Sequence, residues 1–257
     1  MVQKPDAALT DDNASVRIFA HTLSEEELFH ESQRRYAPMF SYPPDRPVVF
    51  VKFGGLEKQA EGDMQRLAFG WLSTEQEKKP HCNVYIPEVY KIFSRHGVTF
   101  IVMQFIEASS IQDIAKQLGT QHWEDRKSKY YDLIAEGIQL LRGMPLPSDP
   151  TPGPRTSSRR IIKHMLFKDH EAPVEYDTIE ELQDHLNRVV RLGYCNNLNL
   201  PVVDLEKELV FCYTDFNDEN FMFTTDADRG PRLYIVDFEH ASFLPGTGLG
   251  ALYREIT

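Results

Sequence analysis

The sequence predicts an α+β chain in two parts, and three observations carry that prediction. A strand run over residues 48–53 is followed by a helical pattern over 56–72 and a hairpin signal over 86–105. Helical periodicity then dominates from about residue 109 to 190. Short apolar runs rich in β-branched and aromatic residues return over 209–213, 220–224 and 232–236.

Taken in order, residues 1–13 are polar and predicted to fray. Residues 15–20 alternate as a short strand would, and Ser24-Glu25-Glu26-Glu27 then reads as a helix start with acids favouring the dipole, the helix running to about Arg35. Pro43, Pro44 and Pro47 break it before the strand Val48-Val49-Phe50-Val51-Lys52-Phe53. In the next helix Leu56, Ala60, Met64, Leu67, Ala68, Trp71 and Leu72 share one face. The hairpin pairs 86–93 with 97–105. A short helix starts near Ser109, and a longer one over 123–144 buries Tyr130, Leu133, Ile134, Ile138 and Leu141. Five prolines and Gly153 between 145 and 154 mark an extended loop. The basic cluster that follows, Arg155, Arg159, Arg160, Lys163 and His164, is read as a solvated loop in preference to an anion-recognition segment. Thr178 caps a helix with Ile179, Leu182, Leu186, Val189 and Val190 inward, and His185 is expected to be a surface or satisfied residue. The 226–230 segment reads as a turn.

Composition narrows the classes. A formal net charge of −11 argues against nucleic acid, whose phosphates need a basic footprint. It would suit a cationic small molecule, although acidic surfaces also serve solubility alone. No apolar run is long enough for a bilayer, so no membrane association is expected, and the first residues lack the apolar core of a signal peptide. Cys82, Cys195 and Cys212 are few, odd in number and without metal-ligand spacing, which favours a reducing, cytoplasmic setting.

The chemistry concentrates at the end of the chain. Asp215, Asn220 five positions later, and Asp237 stand where the last strands end. Phosphoryl transfer from a nucleotide needs such a set: one carboxylate to accept the substrate hydroxyl proton, and an amide oxygen with a second carboxylate to hold Mg²⁺. Singly, each residue reads more readily as part of a surface turn.

The stretch Tyr213-Thr214-Asp215-Phe216-Asn217-Asp218-Glu219-Asn220 resembles the H-G-D-x-x-x-x-N catalytic loop of aminoglycoside phosphotransferases and choline-kinase-like small-molecule kinases. Ile235-Val236-Asp237-Phe238-Glu239 is similar to their metal-binding I-I-D-[WF]-E element, and the match is closest to short fungal members. Tyr213 and Thr214 depart from the family's His and Gly, and Arg142 stands where the helix end usually has His. The resemblance implies a protein-kinase-like two-lobed fold: an N-terminal nucleotide-binding lobe over 1–106, with an antiparallel sheet and one helix, and a mainly helical catalytic lobe over 107–257 with a truncated C-terminus. It implies an ATP-dependent phosphotransferase using Mg²⁺, with Asp215 as base, and with Asn220 and Asp237 as metal ligands. Lys52 would steady the phosphates, paired with Glu61 (Glu57 and Asp63 being the alternatives), and the backbone of Gln104, Phe105 and Ile106 would meet the adenine edge. A solvent-facing edge lysine and solvating helix acids are the plain alternatives for Lys52 and Glu61. Kinases cover the phosphates with a glycine-rich turn, and no glycine lies between Ser15 and Phe53. That absence, with Tyr213, Thr214 and the short C-terminus, motivates the second hypothesis, a catalytically inactive relative that binds a nucleotide, small molecule or protein. The acceptor site would be open, or completed by a second copy in a homodimer.

Overall fold

The computed structural model describes residues 7–79, 81–193, 202–226 and 230–246. Of the segment expected to fray over 1–13, residues 7–13 are helical and 1–6 lie outside the described residues, as do the tip of the 226–230 turn, Cys195 and the stretch from 247 onward.

The described residues begin with helix α1, Ala7–Thr22. The strand expected over 15–20 is therefore helical. Val16, Phe19, Ala20 and Leu23 recur at three- and four-residue spacing and pack into one core, a period that a six-residue window cannot separate from alternation. Helix α2, Glu25–Ser32, starts as expected: the Ser24 hydroxyl accepts the Glu27 amide at 3.4 Å, with three acids in the first turn. It ends at Ser32, short of Arg35.

Strand β1, Met39–Tyr42, was not expected; it pairs antiparallel with β2, Val49–Gly54, across the proline-rich turn of residues 43–48. Helix α3 runs from Glu57 to Lys78. Its inward face is Met64, Ala68 and Leu72, together with buried Glu61 and Gln65, whereas Leu56 and Leu67 point outward. Strand β3, Val84–Tyr85, precedes the hairpin of β4, Val89–Arg95, and β5, Val98–Gln104, which turns at His96 and Gly97 with φ of 50° and 79°. The first-lobe sheet has the order β1-β2-β5-β4 and is antiparallel throughout.

That sheet carries three helices, the two read from the sequence near 24–35 and 56–72 and α1 besides, where the resemblance implied one. Helices α1 and α2 cover one face, where Ala20 and Leu28 meet Phe40, Val49, Val51, Phe100 and Val102. Helix α3 packs against β4 and β5 from elsewhere on the sheet. At Gly62 the two come close: a Cβ there would lie 2.6 Å from Ile92 Cδ1, so a larger residue would have to push that side chain aside.

The second lobe adds strand β6, Ser109–Ser110, and helix α4, Ile111–Glu124, capped by Ser110 accepting the Asp113 amide at 3.1 Å. Helix α5, Lys127–Arg142, buries Tyr130, Ile134, Gly137 and Leu141. A long connection with a 3-10 turn at Lys168–His170 leads to α6, Ile179–Gly193, where the Thr178 hydroxyl accepts the Glu181 amide. Leu182, Leu186 and Val190 face inward as expected, but Val189 is exposed. Tyr176 meets His185 through its hydroxyl, so that histidine is a satisfied residue.

The last described elements are β7, Leu209–Tyr213; β8, Phe221–Asp226; β9, Gly230–Ile235; and β10, Ala241–Pro245. β7 pairs with β10, while β3, β9, β8 and β6 form a separate four-stranded sheet. One core joins these strands to α5 and to Met64, Ala68 and Leu72 of α3. Helix α3 thus touches both lobes, and whatever it carries is held against both. No helix among the described residues is long and apolar enough to cross a membrane.

Candidate active site

Lys52 lies on β2 and Glu61 one turn into α3, and the two meet at 2.7 Å. The alternative of an edge lysine facing solvent does not hold, since Lys52 is 8% exposed and Glu61 1%. Of the three acids considered for the lysine, Glu61 is the one that reaches it. Glu57 instead caps the Gly55 amide at 2.8 Å, and Asp63 takes Thr156 at 2.7 Å and Gln59 at 2.9 Å.

Asp237 completes the group. Its carboxylate is 3.1 Å from the Lys52 ammonium, and its backbone is left-handed, with φ 62° and ψ 77°. A non-glycine residue held there stores strain of about 1–3 kcal/mol, a cost found where geometry serves a function. Tyr213 braces it. The phenol donates to the Val236 carbonyl at 2.6 Å, immediately before Asp237, and its ring packs on Phe216, Phe221 and Phe238. Burial, and then the nearby Asp237 and Asp215 carboxylates, push the phenol well above its ordinary pKa. The Thr214 hydroxyl donates to the His240 carbonyl at 2.8 Å. Both departures from the family pattern therefore tie the 213–220 loop to the 236–240 segment.

Two further cations were not anticipated. Lys58, one turn before Glu61 on α3, bonds the second Glu61 oxygen at 2.7 Å and Glu239 at 2.6 Å. Lys163 also meets Glu239. A continuous chain results, Lys52–Glu61–Lys58–Glu239–Lys163. For Lys52 burial opposes the charge, yet Glu61 and Asp237 outweigh it and hold the pKa above the ordinary value; Lys58 follows the same pattern with Glu61 and Glu239. Burial works against the Glu239 carboxylate too, but Lys163 and Lys58 bring it down to about 2. The solvated reading of the 155–164 cluster fails for Lys163 and for His164, which is 5% exposed and lowered to about 4 by burial. Arg160 is likewise engaged, with Asp177 at 2.6 Å, while Arg159 remains exposed. Sequence offered no signal for these contacts, because Lys58 and Glu239 stand 181 positions apart.

A cavity of about 290 Å³ opens in front of Lys52. Lys52, Asn220 and Asp237 form its polar end, and Met39, Phe50, Met103 and Met222 are among its apolar walls. Gln104, Phe105 and Ile106 line it as well. The Gln104 amide is spent on the Glu88 carbonyl at 2.8 Å, and its side-chain oxygen accepts from the Glu88 amide at 3.4 Å. Asp215 lies in a neighbouring cavity of about 460 Å³, and Asn220 links the two by donating its amide to the Asp215 carbonyl at 3.3 Å.

Carboxylate and amide oxygens are the donors a hard divalent cation takes, and Asn220 and Asp237 present both at one end of the cavity. Glu61, Asp237 and Glu239 also bring carboxylate oxygens within 4.8 Å of one another. Glu61 and Glu239 are each already neutralised by two ammonium groups, so only Asp237 of that trio is available to a metal.

The model of the phosphotransferase enzyme family matches residues 50–245. The chain belongs to that family. The match takes in β2 through β10 and every residue named in the cleft, from Phe50 and Lys52 to Asp237, except Met39. No curated protein sequence matches. Among solved structures, a putative fructosamine-3-kinase from Haemophilus somnus 129PT is similar at a TM-score of 0.36 and 12% identity, over 81% of this chain and 68% of that one.

Proposed function

We propose that the chain is an ATP-dependent small-molecule phosphotransferase that moves the γ-phosphoryl group to a hydroxyl of its acceptor. Residues 1–106 would form the nucleotide lobe and 107–257 the catalytic lobe. The observation that carries this reading is the buried Lys52–Glu61 pair with Asp237 3.1 Å from the same ammonium, at the end of an apolar cavity. Kinases use such a lysine–glutamate pair to fix the cation against the phosphates.

In this reading the base occupies the apolar end of the cavity. The Gln104 amide is already bonded to Glu88, so recognition of the base edge falls to the remaining backbone groups of Gln104, Phe105 and Ile106. Lys52 neutralises phosphate charge while Glu61 keeps it in register. Asn220 and Asp237 would hold Mg²⁺, which would neutralise phosphate charge when bound. The acceptor oxygen attacks the γ-phosphorus as the bond to the β,γ-bridging oxygen breaks; ADP leaves with that electron pair, and Asp215 takes the acceptor proton.

The experiment is ADP release in the presence of ATP, Mg²⁺ and acceptors, comparing wild type with Asp215→Asn. Loss of acceptor-dependent ADP release with nucleotide binding retained supports the base assignment, and retained release removes it. The glycine-free run before Phe53 favours a second reading, a nucleotide binder without transfer. A thermal shift with ATP and Mg²⁺ but no acceptor-dependent ADP release in the wild type would select it. Ligand at a hundred times Kd raises stability by about 2.7 kcal/mol, well within reach of such a measurement.

A further inference from the structure

The cavity that holds Asp215 is lined by Met165, His170, Thr214, Phe216, Asn217 and His240 besides. Its chemistry differs from that of the nucleotide cleft. Among the described residues Asp215 is its one carboxylate, and neither lysine nor arginine lines it. A polycation would need several carboxylates and an anionic acceptor would need a cation, so the acidic balance of the whole chain is not gathered here. Phe216 and Met165 stand 59% and 50% exposed at its walls, although both are large and apolar. The volume is in the range of sites for small molecules.

Two imidazoles are aimed at the same space by unusual backbone. Asp169 and His170 are successive non-glycine residues in the left-handed region, with φ of 58° and 60°. The turn is held by the His170 amide on the Phe167 carbonyl at 3.0 Å and the His164 amide on the His170 carbonyl at 2.9 Å. Such a pair is costly for L-residues and survives only where the surroundings enforce it. His240 ends the 3-10 turn that follows Asp237, and the Thr214 hydroxyl fixes its carbonyl. The two rings meet edge to face with centroids 6.5 Å apart. Each neutral imidazole offers one donor and one acceptor, the complement of a hydroxyl group.

We propose that this cavity is the acceptor site, and that it takes a small uncharged ring compound bearing several hydroxyls, a sugar or cyclic polyol, with its C–H face on Phe216 and its hydroxyls on His170 and His240. The proposal rests on the reading of Asp215 as the base, and it names the acceptor class for that reaction. One hydroxyl lies against Asp215 and loses its proton as the oxygen–phosphorus bond forms; the others stay on the imidazoles and select the ring.

The test is saturation-transfer NMR on the protein with ADP and Mg²⁺ present. The probes are neutral monosaccharides and cyclitols, an aminoglycoside as the polycation, and sugar acids as the anions, all at millimolar concentration. The proposal expects transfer to the neutral set. It expects affinity to fall roughly tenfold in Phe216→Ala and in His240→Ala, about the loss of one contact of 1.4 kcal/mol. His170→Asn, which keeps a polar side chain, should weaken the same compounds. Binding confined to the aminoglycoside or the acids overturns it, as does neutral binding that none of the three substitutions changes, or no neutral binding at all. Neutral binding without ADP release in the wild type would refute the phosphotransfer reading and leave the ligand class standing.

Discussion

Replacing Glu61 by glutamine tests the charge chain at its most buried member. The side chain is fully enclosed, and it is bonded by Lys52 and Lys58 at 2.7 Å each. Three ammonium groups, Lys52, Lys58 and Lys163, face three carboxylates, Glu61, Asp237 and Glu239. Glu61→Gln leaves three against two. Removing one partner of a buried pair costs about 3–5 kcal/mol, because the remaining charge stays desolvated. Here Lys52 retains Asp237 at 3.1 Å and Lys58 retains Glu239 at 2.6 Å, which brings the expected loss to the low end, about 3 kcal/mol. Urea unfolding at neutral pH reads this as a midpoint lowered by roughly 1–2 M with an unchanged slope. Adding Lys58→Met restores two charges of each sign, and the double variant should recover part of the loss, with a coupling of about 1–3 kcal/mol. A single-variant cost below about 1 kcal/mol, the value of an exposed pair, would refute the picture of a desolvated network.

Three other outcomes follow from the same geometry. His164 is held neutral in the fold with its pKa at about 4 against an ordinary 6.5, so the unfolded chain binds the proton first and stability is lost as pH falls from 6.5 to 4; the span is about 3 kcal/mol, and His164→Gln should flatten a urea-midpoint profile over that window alone. Glu239 has the depressed carboxylate, about 2 against 4.5, and contributes about 3 kcal/mol above pH 4.5 that disappears as pH falls toward 2; Glu239→Gln should remove the steepest part of acid denaturation in that lower range. Tyr213→Phe leaves the Val236 carbonyl without its 2.6 Å donor and should cost about 1–3 kcal/mol in urea unfolding, with nucleotide affinity falling as well because Asp237 follows directly.

What could be read from the sequence divides along a physical line. Asp215, Asn220 and Asp237 stood out because they lie at the ends of short apolar runs, where a polar residue has no local packing reason to be. Lys52 and Glu61 were legible because nine positions place one on a strand and the other a turn into the following helix. Helix α1 was missed because Val16 and Ala20, four positions apart, fit both periods, and Ile18 between them completes an alternation although the helix leaves it exposed. Lys58 was not singled out and Lys163 was read as solvated charge, since nothing local marks a contact with a partner 181 or 76 positions away. Tyr213 and Thr214 looked like losses against the family pattern. Their replacements for the missing contacts reach across to residues 236 and 240, and only the fold brings those within hydrogen-bonding range.

Calorimetric titration of ATP in the presence of Mg²⁺ into the wild type and into Asp237→Asn tests the cleft most directly. The account predicts saturable binding to the wild type that chelation of the metal weakens, and an affinity for Asp237→Asn lower by at least about tenfold, equivalent to 1.4 kcal/mol. No binding to the wild type at millimolar ATP, or binding that neither the chelator nor the substitution alters, would contradict it.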